Sequence, residues 1–354
     1  MNGFYKQVKE NTNISSESRR TGCMYGLFIG DALAMPVHWY YDRAALKRDY
    51  GTVKDYLAPR NPHQGSILWR SSYRPINRKG NILHDQAQYW GKRGIHYHQF
   101  LKAGENTLNL KLCTLLIESL NEKGTYDSKD YLERYISYMT TPGSHKDTYV
   151  EEYHRHFFTK FAQGVSPFKC GIQEKHIGGL IGMAPIVAFY LEKPETAKKA
   201  ALEHLRLTHL GKKMEQAGLL FAEVLLKLFK GISLREALVT EIEKQKISLA
   251  AYPFLKWLTE PDGYVVGQRF STACYVEDSV PSVIYLALKY HDNPEEGLIA
   301  NTNLGGDNAY RGAVLGAIFG AANGMEGFPE RWIQGLKEPP PELKRKEAVD
   351  QTSV

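Results

Sequence analysis

Helical periodicity dominates the chain and is broken by one long segment. From Asn106 to Leu120 (NTLNLKLCTLLIESL) apolar side chains return every three or four residues, and Met214 to Phe229 repeats the pattern. Val280 to Tyr290 follows suit, with Pro281 where a helix begins. Alternating patterns bounded by turn residues are scarce, so the expected fold is all-α, a single compact multi-helix domain over residues 17–337. The polar residues 1–16 and the tail 338–354 (EPPPELKRKEAVDQTSV) are expected to be flexible ends.

Between about residues 55 and 100 the periodicity disappears and Pro, Asn, Gly and aromatic residues crowd together. Trp69, Tyr73, Tyr89, His63, His84, His96 and His98 give this segment enough rings to pack on itself, which predicts an ordered loop.

Two glycine series stand out. Gly22, Gly26 and Gly30 recur every fourth residue in GCMYGLFIGDALAMP, and Gly312, Gly316, Gly320 and Gly324 do so in GAVLGAIFGAANG. Glycine inside a helix costs up to ~1 kcal/mol, so each stripe needs a compensating gain. Close approach of two backbones supplies it, and we expect the two helices to pack directly. Asp31 and His38 follow the first stripe while Gly305, Gly306 and Asp307 precede the second, so packing would converge polar groups from both ends of the chain. Gly-Gly-Asp ahead of a helix also offers backbone N–H groups suited to phosphate or carboxylate, although Asp307 serves equally as an ordinary N-cap.

Composition changes this picture little. Of 354 residues, 43% are hydrophobic and 24% charged, which excludes disordered and fibrous classes. The longest apolar stretch, Gly178 to Leu191, contains Pro185 and is shorter than the ~20 residues a membrane span needs. No membrane association is expected, and without a signal-like start the expected location is cytoplasmic. The net charge of +6 suits an anionic ligand but is too small to argue for nucleic acid. Cys23, Cys113, Cys170 and Cys274 lack metal or redox spacing and read as reduced core thiols. His145, His154 and His156 look like a metal cluster, but His154 and His156 are two apart, and a solvated helix face is the expectation. His209 reads equally as a motif residue or a buried ring making one backbone hydrogen bond.

In order, GLFIGDALAMPVHW (26–39), GENTLNLKLCTLLIESL (104–120), IGGLIGMAPIVAFY, RLTHLGKKMEQAG with Thr208 and His209, and the block from Ser279 through NLGGDNAYRGAVLGAIFGAANG to Pro329 and Trp332 resemble the ADP-ribosylglycohydrolase family, including its crystallin-like relatives. The resemblance spans about residues 18–336. It implies a helical domain whose helix ends form a cleft, two Mg²⁺ ions held by Asp-rich motifs, and cleavage of the glycosidic bond joining ADP-ribose, small-molecule or protein-linked, to its acceptor.

Residue by residue, the acidic motifs become Gly104, Glu105 and Asn106 in one place and Asp307, Ala309 and Tyr310 in the other, while His38 stands where the family has a Glu. Two carboxylates then face a site built for two divalent ions, so one Mg²⁺ or none is expected, held by Glu105, Thr107 and Asp307. The implied catalytic residues are Glu105, Asp307 and His38. The implied substrate-binding set is Asp31, Asn106, Gly305, Gly306, Asn308, Tyr310 and Arg311, with Arg311 gripping a phosphate or reaching Asp307. Asp31 and Thr107 also read as simple caps, and Asn308 and Tyr310 as ordinary loop residues. The expected function is a hydrolase with a rebuilt site; the alternative is an inactive binding or structural protein on the same fold.

Overall fold

The computed structural model describes residues 14–244 and 248–344. Among them run α1 (Ser16–Ala34), α2 (Arg43–Tyr50), α3 (Leu108–Lys123), α4 (Ser128–Thr140), α5 (Glu152–Ala162), α6 (Met183–Phe189), α7 (Pro194–Arg206) and α8 (Lys212–Phe229). They continue with α9 (Leu234–Lys244), α10 (Phe254–Trp257), α11 (Asp262–Val265), α12 (Val276–Lys289), α13 (Pro294–Leu304), α14 (Asn308–Asn323) and α15 (Glu330–Gly335). The strands β1 (Ile172–Gln173) and β2 (His209–Leu210) pair in parallel, Ile172 opposite His209. The expected all-α domain is therefore found, and no helix among the described residues is long and apolar enough to cross a membrane.

The two glycine helices form its axis. They run antiparallel: a Cβ on Gly26 would lie 2.0 Å from Gly316 O, one on Gly30 2.0 Å from Gly312 O, and one on Gly320 1.9 Å from Gly22 O. The backbones touch along the whole seam, which is why neither stripe tolerates a side chain. Both helices are apolar nearly all round, with Leu27, Phe28, Leu33, Leu315 and Phe319 buried, as a central helix requires. Helices α6, α8, α12 and α13 pack around them.

The irregular segment is ordered by its rings, as expected. Tyr97 is buried, its hydroxyl accepts from Ile67 N–H (2.8 Å), and it meets Trp39 edge-on at 4.7 Å. Trp69 and its partner Arg93, 3.9 Å over the ring, stay on the outside.

The described parts of both expected flexible ends are bonded to the domain. Helix α1 begins at Ser16, with Ser15 Oγ accepting from Ser18 N–H (3.0 Å). Residues 338–344 dock on α3: Glu338 pairs with Lys111, Asn121 bonds Glu342 O and Lys344 N–H at 2.8 Å each, and Leu343 is buried. The remaining expected flexible residues, 1–13 and 345–354, lie outside the described residues.

Candidate functional site

Antiparallel packing brings the C-terminal end of α1 to the N-terminal end of α14, and the loops ahead of α3, α5 and α12 close over the same place. Gly305 and Gly306 make the junction, both at positive φ (68° and 66°). A Cβ on Gly305 would lie 2.2 Å from Tyr40 O, and one on Gly306 2.2 Å from Thr272 O. Their N–H groups are not free for an anion. Gly305 donates to Thr302 O (3.3 Å), Gly306 to Tyr40 O (2.7 Å) and Asp307 to Thr272 O (2.8 Å). The expected phosphate cradle is thus a backbone clamp that fixes Asp307.

Asp307 occupies the N-cap position of α14, yet its side chain makes no capping bond. Its Oδ1 meets His38 Nε2 at 2.7 Å, His38 Nδ1 meets His98 Nε2 at 2.8 Å, and His98 Nδ1 meets Asp147 Oδ1. All four side chains are buried. The second oxygens, Asp307 Oδ2 and Asp147 Oδ2, have no hydrogen-bond partner. Burial, opposed by His176, Arg311 and His98, holds the Asp307 carboxyl above the usual carboxylate range. Burial drives His38 well below an ordinary imidazole, helped by His98 and His176. Burial also works against the His98 cation, but the Asp147 carboxylate overrides it and His98 ends above its ordinary value.

Asp31 lies one turn deeper. It accepts from Asn106 Nδ2 (2.9 Å), Thr107 N–H (2.9 Å) and Thr107 Oγ1 (2.7 Å), tying α1 to α3. Burial raises Asp31 to about 6, with these three bonds holding it down. Thr107 is the N-cap residue of α3, but its hydroxyl goes to Asp31 and not to the helix. Glu105 stays out of this network, its Oε2 accepting from Lys102 N–H at 2.8 Å. Arg311 does not hydrogen-bond Asp307. Its guanidinium is wholly buried and donates to Asn301 Oδ1 (2.7 Å) and Gly305 O (2.9 Å), so it braces the glycine turn. Asn308 likewise donates inward, to Thr302 O (2.7 Å). Tyr310 gives its hydroxyl to Glu151, whose Oε2 is unpartnered. Burial lifts Glu151 to about 7 against that hydrogen bond.

Asp31, His38, Asn106, Asp307 and Arg311 are thereby brought into one region, while Glu105 sits at its edge. They form a buried cluster and not the walls of an open cleft, each being less than a tenth exposed. The half-exposed Tyr41, within electrostatic reach of Asp307, Cys274 and Arg311, connects the cluster to the surface.

Sequence reasoning missed His98 as more than a packing ring, and it missed Asp147, Glu151 and His176. It placed His145 and His154 on a solvated face, where they are buried. His154 is held by Tyr135 Oη (2.6 Å) and Asn109 Oδ1 (3.1 Å), and only His156 is exposed. His209 is buried and meets Thr208 Oγ1 at 2.8 Å, a side-chain partner where a backbone one was expected. Cys23, Cys113 and Cys170 are buried free thiols, and Cys274 is partly exposed.

Burial holds nine histidines below their ordinary value: His38, His63 (about 4), His96, His145, His154 (about 3), His176, His204 (about 3), His209 and His291. A depressed imidazole contributes stability that is complete above ~6.5 and lost as pH falls. Asp31, Glu151, Asp307 and His98, raised, act in the opposite sense, contributing at low pH and losing it as pH rises through their folded values. The rings outnumber the carboxyls, so unfolding free energy should climb by several kcal/mol from pH 5 to about 6.5. Urea midpoints across that range check this; a flat profile contradicts the neutral burial of these rings.

Among the described residues, one group of three ligand-bearing side chains, His176, Cys274 and Asp307, keeps its donor atoms within 4.8 Å of one another. It is a mixed N, S and O set, unlike the all-oxygen shell Mg²⁺ takes. His176 Nδ1 accepts from Gly178 N–H at 3.0 Å, so the neutral ring carries its proton on Nε2, the nitrogen 3.8 Å from Asp307 Oδ2. A proton stands where a metal needs a lone pair. Both oxygens of Asp31, the Thr107 hydroxyl and Oε2 of Glu105 are engaged in internal bonds. The residues present do not fit the family's dinuclear magnesium centre.

The chain belongs to the ADP-ribosylglycohydrolase family, whose model matches residues 12–352. It is 24% identical over 328 residues to an uncharacterized protein of Archaeoglobus fulgidus, covering 91% of this chain and 92% of that one. It shares its fold with a solved ADP-ribosylglycohydrolase-related protein complex at a TM-score of 0.59 and 22% identity, over 91% of this chain and 93% of the other.

Proposed function

We propose that the protein hydrolyses the glycosidic bond of an ADP-ribose conjugate, with Glu151 as its acid and Asp307 as its base. The observation that carries this reading is a pair of buried carboxyls, each holding one oxygen by a protein hydroxyl or imidazole and leaving the other unpartnered. A buried acceptor without a partner costs about 1–3 kcal/mol, and such groups concentrate at reaction centres. Glu151, near 7, is the proton donor to the departing atom as its bond to the anomeric carbon breaks. Asp307, oriented by His38, takes the proton of the water that adds to that carbon.

Relative to the residues expected from the sequence, Glu151 replaces Glu105, Gly305 and Gly306 leave the binding set because their N–H groups are spent, and Arg311 leaves it because it is wholly buried and braces the glycine turn. Asn106, Asn308 and Asp31 hold the framework. Substrate approaches from the side of Tyr41. The complete burial of Asp307 favours the second reading, a non-hydrolytic binding or structural protein. The test is to incubate the chain with arginine-linked and serine-linked ADP-ribosyl proteins, in Mg²⁺ and in EDTA, and measure free ADP-ribose. Release from either linkage is expected, undiminished by EDTA; no release from both leaves the second reading.

A further inference from the structure

We infer that the His38–His98 pair stands in this chain where the family's pattern puts metal ions, so that the buried acids of the site are balanced by an imidazole pair and no divalent cation is needed. The inference borrows from the reading above only the location of the site, and its test needs no turnover.

The first argument is a count of hydrogen atoms. The run Asp147–His98–His38–Asp307 contains three hydrogen bonds, each of which needs one proton. Two neutral imidazoles bring two. The third is an added proton held along the run between two carboxyl groups, and it cancels one negative charge of a buried acidic site. The surroundings place it on His98. That ring faces Asp147 directly and has Glu151 and Asp31 within electrostatic reach, while His63 and His96 are neutral neighbours and His176 and Arg311 lie on the side of Asp307. His96 is fixed as neutral by its own bonds, because Nδ1 accepts from His98 N–H (3.0 Å) and Nε2 meets Pro36 O (3.0 Å).

The second argument is what the other donors do. His38 occupies the position of the family's Glu and puts an N–H on Asp307 Oδ1, where a carboxylate beside a carboxylate would call for a cation. Both oxygens of Asp31 are taken up by Asn106 and Thr107. The His176, Cys274 and Asp307 group is turned against a metal by the proton on His176 Nε2. Arg311, a further buried cation beside Asp307, hydrogen-bonds Asn301 and the carbonyl of Gly305, makes no hydrogen bond to Asp307 and acts on that carboxyl only through space. The proton chain therefore supplies the compensating charge that reaches Asp307 Oδ1.

Titration calorimetry on EDTA-treated, dialysed full chain, with Mg²⁺, Mn²⁺ and Zn²⁺ in turn, tests this together with thermal melts in each ion. Wild type should give no saturable heat below ~1 mM Mg²⁺ or Mn²⁺ and no shift in Tm between EDTA and metal. His38→Glu puts the carboxylate back, and its Tm should rise by at least ~2 °C in excess Mg²⁺ or Mn²⁺ over its own value in EDTA. Imidazole ¹⁵N shifts of wild type at pH 7 provide a measurement that needs no variant, and His98 should show both nitrogens protonated. A saturable Mg²⁺ or Mn²⁺ site in wild type that is lost in Asp307→Asn overturns the inference. So does a Zn²⁺ site lost in Cys274→Ser, or a neutral His98.

Discussion

Replacing Gly316 by alanine is expected to destabilise the protein by ~3 kcal/mol, and leucine there to leave no folded chain. The Cβ would sit 2.0 Å from Gly26 O and 2.7 Å from Gly26 C. Those are backbone atoms in the middle of a 19-residue helix, with no rotamer through which to retreat. Relief requires moving α1 away from α14, and the same separation is shared by the Gly30–Gly312 and Gly22–Gly320 contacts, so the whole seam opens. The C-terminal end of α1, with Asp31 and His38, would move with it. Gly65→Ala is the matching control, because its Cβ would meet only His63 at an ordinary 3.4 Å, and it should change stability by less than ~0.5 kcal/mol. Urea midpoints of the two variants check the contrast.

The seam was legible because a four-residue repeat of glycine has one helical meaning and a steep local cost. Asp307 and His38 were legible because they stand in recognisable blocks. What joins them was not. His98 lies 60 residues from His38, and Asp147 lies 49 from His98. Neither pair has a spacing that a helix or strand would fix. Glu151 precedes Glu152 in a charged stretch and reads as solvated surface, yet the turn into α5 buries it against Tyr310. The density of histidine between residues 55 and 100 was the available signal for His98, but it pointed to packing. The anion cradle at Gly305, Gly306 and Asp307 failed for a related reason, since the acceptors that consume the N–H groups of Gly306 and Asp307, Tyr40 O and Thr272 O, come from loops far away in sequence. Long-range hydrogen bonds chose the roles that local motifs left open.

Asp307→Asn is the most direct measurement of the proposed chemistry. Asparagine keeps the size of the side chain and an acceptor for His38 Nε2, and it replaces the unpartnered, buried oxygen by an uncharged group. Because burial already disfavours the charged carboxyl, stability should be unchanged or slightly higher. The proton acceptor for water is lost, and kcat/KM for ADP-ribose release should fall ~10²–10⁴-fold. Measured on one preparation, a folded variant of wild-type stability with that loss of rate is the result predicted here. A variant that releases ADP-ribose at the wild-type rate would contradict the assignment of Asp307 as the reacting group.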